Sequence, residues 1–236
     1  MKKLAIVQSN YIPWKGYFDV IANVDEFVLF DDVQYTKRDW RNRNKIKTSN
    51  GSKWLTVPVK VKGKYYQNIC DTRIDGVNWA QKHWMSLSQN YRKAPYFKEI
   101  ATWLEPLYTS TSYTLLSDLN FTFMKQICDY LGISTLITRL ATTSTPSHTV
   151  AKLKTERLID LCKETNSTEY ITGPAAKGYI DEKLFIDNGI TLTWYDYSGY
   201  PEYQQLWGDF EHQVTILDLL FNCGKDSLRY MKISKL

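Results

Sequence analysis

The sequence predicts an α/β fold: a mainly parallel sheet carrying an added β-hairpin and a helical subdomain. Three observations lead there. A short apolar strand, a loop, a short helix and a second apolar strand follow one another at the amino-terminal end. A second α/β run of the same kind occupies the last third of the chain. Between them lie a basic hairpin and a stretch whose apolar spacing lengthens from two residues to about four.

Taken in order, Lys3 to Val7 reads as a buried strand, and a helix begins near Gly16. Glu26 to Phe30 is the second strand and ends in Asp31-Asp32. Residues 41–61 form an expected hairpin around the turn Thr48-Ser49-Asn50-Gly51-Ser52, with Pro58 restricting its second arm to an edge or a bulge. Ile69 to Ile74 is a candidate third strand beside it. Helices are expected over Trp79 to Tyr91, Pro95 to Tyr108 and Leu115 to Leu131. In the last of these Leu119, Phe123, Ile127 and Leu131 repeat every four residues before Gly132. Ile133 to Leu140 looks like a strand, and the Ser/Thr-rich Ala141 to Thr149 like a linker or lid. Lys154 to Glu164 returns to helix, followed by strand Glu169 to Thr172, helix Ile180 to Asp187 and strand Ile190 to Tyr195. The four strands Lys3–Val7, Glu26–Phe30, Glu169–Thr172 and Ile190–Tyr195 should share one sheet of nucleotidyltransferase-like (Rossmann-like) type. Residues 1–35 and 150–236 would then form its α/β core, 36–75 the hairpin region and 76–140 the helical region of a single domain.

At 236 residues and 43% hydrophobic content the chain is long enough to bury a sizeable core. The net charge of +5 is too small to imply a nucleic-acid protein. Four cysteines, Cys70, Cys128, Cys162 and Cys223, are scattered with no C-x-x-C pair, so no metal site is evident. Met1-Lys2-Lys3 runs straight into a strand and lacks the apolar stretch of a signal peptide, and no window reaches a membrane span. A cytoplasmic, reduced protein is the expectation. Trp and Tyr are heavily used, and a cleft for a ring-bearing ligand would use their flat faces and polar tips.

Ligands of parallel sheets sit beyond the carboxyl ends of the strands. That rule gathers Gln8, Asn10 and Tyr11 with Asp31 and Asp32, and adds Gly173 of the turn after the third core strand. A glycine at a helix start leaves amide groups open to an anion, which singles out Trp14, Gly16 and Tyr17. The adenylyl-transferring folds carry T/H-x-G-H there, whereas Trp14-Lys15-Gly16-Tyr17 keeps only the glycine. Arg41, Arg43 and Lys45 would share one strand face and clamp a diphosphate, with Asn42 and Asn44 on the other. Lys154, Thr155 and Arg157 at a helix start would complete the anion site. Among three histidines, His83 is the best general base, because its free pKa lies near neutrality.

Read together, several of these stretches resemble the WbqC-like protein family. They are Gln8-x-Asn10-Tyr11-x-Pro13-Trp14-x-Gly16-Tyr17-Phe18, Phe30-Asp31-Asp32-Val33-Gln34-Tyr35, and Arg41-Asn42-Arg43-Asn44-x-Ile46-Lys47. Trp54-Leu55-Thr56-Val57-Pro58-Val59, Lys82-His83, Tyr91-x-x-Ala94-Pro95-Tyr96-Phe97, Lys154-Thr155-Glu156-Arg157 and Leu217-Asp218-Leu219-Leu220-Phe221-Asn222-x-Gly224 extend the likeness over nearly the whole chain. Many relatives have His-Gln-Pro where this chain has Val7-Gln8-Ser9. The resemblance implies a bacterial transferase of surface-polysaccharide (O-antigen or capsule) synthesis, moving an acyl or aminoacyl group onto a nucleotide-activated amino sugar or related amine. His83, Asp32 and Tyr11 are its candidate catalytic residues, and Gln8, Tyr35 and the basic and aromatic residues named above its candidate binding residues. The expected partner is a phosphate-bearing small molecule rather than nucleic acid, and no cofactor is assigned. An ATP-dependent nucleotidyltransferase or ligase, and a nucleic-acid-binding module, are the alternative classes.

Overall fold

A computed structural model describes residues 1–140 and 154–233. Its centre is a five-stranded parallel sheet. Strands β1 (Lys3–Val7), β2 (Glu26–Leu29), β5 (Leu136–Arg139), β6 (Glu169–Thr172) and β7 (Thr191–Trp194) lie in the order β5-β2-β1-β6-β7. Relabelled within the sheet, this is 3-2-1-4-5, the order of doubly wound sheets, with its switch point between β1 and β6. The stretch Ile133 to Leu140 thus supplies the fifth core strand, one more than the four expected.

Side chains alternate across the sheet and divide the core in two. Ala5, Phe27 and Leu29 face α1 (Lys15–Ala22) and α4 (Leu116–Leu131), while Leu4, Ile6 and Val28 meet α5 (Lys154–Glu164) and α6 (Glu182–Asp187). Every residue of α1 is buried. In α4 the four-residue apolar repeat faces inward, and Gly132, at φ 74°, adopts the left-handed cap that lets Ile133 N–H reach the Cys128 carbonyl. Helices α2 (Asn78–Tyr91) and α3 (Phe97–Thr109) pack beside α4 in the same core.

Where expectation and structure differ, a local bond explains it. The α3 helix starts after Tyr96 rather than at Pro95, because Tyr96 N–H is taken by the Phe221 carbonyl at 3.0 Å. The α6 helix starts at Glu182, where the Asp181 carboxylate accepts the Lys183 and Leu184 N–H groups. Ile69 to Ile74 forms no strand. Its amides go to Val33, Asp31, Asn68, Ile69 and Thr114, so no single neighbour runs alongside it. The hairpin is shorter than expected, with β3 (Arg43–Thr48) and β4 (Gly51–Thr56). Beyond Tyr195 the sequence marks no element, yet α7 (Ile216–Cys223) forms there. Seven of its eight residues are buried, and Asp218 is one of them, so a charged residue lies where an apolar one would be expected. The expected linker or lid, along with His148, lies outside the described residues.

Candidate functional site

The loop after β1 crosses the carboxyl edge of the sheet and is held from several sides. Ile12 sits at φ 42°, an unfavourable region for a β-branched residue. Asn44 fixes it, donating to the Tyr11 and Ile12 carbonyls at 3.2 and 2.7 Å. Tyr11 N–H reaches the Trp40 carbonyl, and Tyr17 donates its hydroxyl to the Gln8 carbonyl at 3.1 Å. Arg41 donates to the Asn10 side-chain carbonyl and lies 3.6 Å from the Asp39 carboxylate. Asp31 is buried where β1, β2 and α4 meet, accepting Ser9 N–H at 2.8 Å and the Ser117 hydroxyl. The sheet edge is therefore a built surface in which Gln8, Asn10, Asp31 and Arg41 converge.

Asp32, the next residue, is half-buried and pairs with Arg157 of α5 at 3.8 Å. Burial raises its pKa above the ordinary carboxylate range, with Arg157 opposing and Asp31 adding to the rise. Close by, a cleft of about 380 Å³ opens between the ends of β2 and β5, lined by Asp31, Cys70, Asp71, Ser117, Arg139 and Leu140 among others. The Cys70 thiol is pushed up to about 11 by burial and then by Asp71, Asp31 and Asp32, so these carboxylates share one electrostatic neighbourhood. Arg139 holds the opposite wall, donating to Ser117 and Asp118 at 3.1 and 2.8 Å. Asp32 combines a raised pKa, a cationic neighbour and a half-buried position, the features a proton acceptor needs.

Other expected residues lie elsewhere. His83 and Tyr11 are buried in the core. His83 Nδ1 accepts the Tyr11 hydroxyl at 2.8 Å, Tyr108 joins at 2.8 Å, and the ring makes a second hydrogen bond with the Thr56 backbone. Burial lowers the His83 pKa to about 4, so the imidazole is neutral and fully engaged. Gly16 does not open an anion site: a Cβ there would lie 2.4 Å from the Trp14 ring, which covers the first turn of α1. Trp14 itself packs on Tyr197 and Tyr200. Arg43 and Lys45 do share a face, as the alternation predicts, but they lie over Trp54 at 4.2 and 5.5 Å. Asn42 is buried and donates to the Val57 carbonyl, and Tyr35 is buried under the hairpin side with its N–H on Gln67. Thr155 is buried and accepts Asp181 N–H at 3.0 Å, while Lys154 opens α5. Gly173 lies at the end of β6, where a Cβ would meet the Tyr197 ring at 3.1 Å.

His83 yields a pH prediction. Between its folded pKa of about 4 and its free value of 6.5, the unfolded chain binds more protons, so acidification through this window destabilises the native state. A His83→Gln chain lacks that titration. Its stability deficit relative to the native chain should be largest near pH 7 and shrink by about 3 kcal/mol by pH 4. Asp19, raised to about 6 by burial, titrates in the opposite sense but equally in both proteins. Urea unfolding across this range measures the difference, and a constant deficit would place the His83 pKa near its free value.

Arg139, Ser117, Cys70 and Asp71 escaped the sequence reading. Arg139 was findable: placing its strand in the parallel sheet brings it under the strand-end rule. Cys70 and Asp71 reach the cleft through the contact of residues 67–70 with 31–35, which has no periodic signature.

A doubly wound sheet whose carboxyl edge carries a charged, partly enclosed cleft defines the class: an α/β protein with its candidate site at the strand ends. The chain belongs to the WbqC-like protein family, whose model matches residues 8–230. It is similar to the uncharacterized protein Rv1507c of Mycobacterium tuberculosis, with 56% identity over 232 residues, 98% of each chain. No solved structure matches it.

Proposed function

We propose that the chain is a transferase that moves an acyl or aminoacyl group onto the amine of a nucleotide-activated amino sugar or related amine. The observation that carries this reading is the Asp32–Arg157 pair, with Asp32 next in the chain to Asp31 of the strand-end cleft. The 3-2-1-4-5 order is shared with dinucleotide-binding sheets of Rossmann-like type, which hold phosphates at this edge. Arg157, at the start of α5, would bind a phosphate or the oxyanion of the donor carbonyl. Asp32 would take the proton from the attacking amine as the nitrogen–carbon bond forms. The donor's leaving group then departs as its bond to that carbon breaks. Gln8 and Asn10 line the same edge and would orient the acceptor.

Membership of the WbqC-like family supports surface-polysaccharide synthesis as the setting for such chemistry. Thermal unfolding with added ligands tests it. A nucleotide-linked amino sugar at about 100 times its dissociation constant should stabilise by about 2.7 kcal/mol, or roughly 5–10 °C at this chain length. The same molecule with hydroxyl in place of amine should stabilise less. Stabilisation by ATP with Mg²⁺ and none by nucleotide sugars would overturn the proposal in favour of a nucleotidyltransferase or ligase.

A further inference from the structure

The positive charge of this chain is concentrated in one stretch. Residues 40–70 hold eight Lys or Arg and no Asp or Glu, a net +8. The whole chain carries 30 cationic and 25 acidic side chains, so everything outside this stretch nets 22 − 25 = −3. Part of the excess is spent inside the fold: Lys47 donates to Gln205 and the Asp209 carbonyl, and Arg41 holds the β1 loop. Lys53, Lys60, Lys62 and Lys64 are exposed, the last three at alternate positions of the loop Val59–Gln67. At its tip stand Tyr65 and Tyr66, 71% and 70% exposed, the largest exposures of any aromatic among the described residues.

This tip is held in shape. Gly63 turns it at φ 72°, Lys64 N–H reaches the Val61 carbonyl, and Gln67 donates both to the Lys64 carbonyl and, by its side chain, to that of Lys60. Gln34 donates to the Tyr65 carbonyl at 2.8 Å, and Tyr35 N–H to that of Gln67. Lys37 and Arg38, two and three residues beyond Tyr35 in the chain, are also exposed. Two tyrosines are thus presented within a collar of cations on a fixed support.

We propose that this loop docks the protein on an anionic lipid surface, with Tyr65 and Tyr66 seated at headgroup level and Lys60, Lys62 and Lys64 against lipid phosphates. Phenol rings suit that depth because one end is apolar and the other wet. Lysines beside them gain from the negative surface potential. Single-stranded nucleic acid fits less well, since it needs open ring faces on which bases stack. Tyr65 and Tyr66 stand edge to face at 89°, and the Trp54 face is taken by Arg43. Docking would also set the cleft close to the lipid: Cys70 is four residues from Tyr66, so the two lie within about 14 Å of each other.

The test is sedimentation of the full chain with vesicles of phosphatidylcholine, with and without about a third phosphatidylglycerol. Binding is expected to the anionic vesicles only, weakening as salt rises. Lys60→Gln, Lys62→Gln and Lys64→Gln together should weaken it roughly 100-fold. Tyr65→Ser with Tyr66→Ser should also weaken it, while leaving the salt dependence in place. Unchanged thermal unfolding of both variants shows that they fold. Equal binding to neutral vesicles, no binding at low salt, or full binding by the lysine variant would each overturn the proposal. So would a fluorescent oligouridylate that binds at low salt and displaces the vesicles, which would assign the surface to nucleic acid.

Discussion

Replacing Asp218 by Ala should cost about 3–5 kcal/mol of folding stability, among the largest effects available in this molecule. Asp218 is completely buried on α7 and accepts the Tyr91 hydroxyl, the Tyr203 hydroxyl and the Gln205 amide at 2.8, 2.9 and 2.9 Å. Burial raises its pKa despite these donors, and Lys47, which donates to Gln205, supplies a nearby positive charge. The Tyr91 hydroxyl also accepts Lys47 N–H, so one carboxylate joins α7, α2, β3 and the segment around 205. Alanine would leave the Tyr91 and Tyr203 hydroxyls without their acceptor and take one of the Gln205 amide's, together with a cavity. Asp218→Asn keeps the volume but turns a donor toward other donors, so it should lose somewhat less. Linear extrapolation of urea unfolding measures both. A loss under about 1 kcal/mol for the Ala variant would mean that the network does not exist as described.

The second large effect concerns turnover. If Asp32 is the proton acceptor, Asp32→Asn should lower kcat by about 10²- to 10⁴-fold while the chain stays folded, because the side chain is only partly buried. Ligand-induced stabilisation should survive the change, since the amide keeps the shape of the carboxylate. Arg157→Ala should act differently, raising KM through loss of a phosphate or oxyanion contact. The pH profile gives a further sign. The base must be deprotonated to work, and burial lifts its pKa, so the acid limb of kcat should lie above the ordinary aspartate value. Undiminished turnover in Asp32→Asn would remove it from the chemistry.

Much of the architecture was legible because the core strands are short apolar runs and α4 has a clean four-residue repeat. What escaped was long-range. Ile69–Ile74 has the composition of a strand, but its partners come from several separate segments. The α7 helix buries seven of its eight residues, the charged Asp218 among them, so residue type alone does not mark its inner face. At the site, the strand-end rule gathered Gln8, Asn10, Tyr11, Asp31, Asp32 and Gly173, and the helix-start reading added Arg157; the structure keeps Asn10, Asp31, Asp32 and Arg157 at that edge but turns Tyr11 into the core. Residue type misled elsewhere. A histidine near neutrality looks like a base, but burial of His83 against Tyr11 removes its charge. A glycine at a helix start looks like an anion cradle, but Gly16 leaves room for the Trp14 ring.

The central strand β1 pairs on one side with β6, Lys3 opposite Glu169, and the loop that follows it is closed from beyond that point. Ile216 N–H reaches the Pro13 carbonyl, and Lys15 donates to the carbonyl of Pro201. Those contacts span most of the chain, which makes the sheet edge a late product of folding. On a ribosome adding about 5–20 residues per second, β1 waits roughly 10–30 s for its partner strand. β2 pairs with the other side of β1, so until β6 emerges this apolar strand edge stands open, and the β1 loop lacks its last supports until residues 201 and 216 are made.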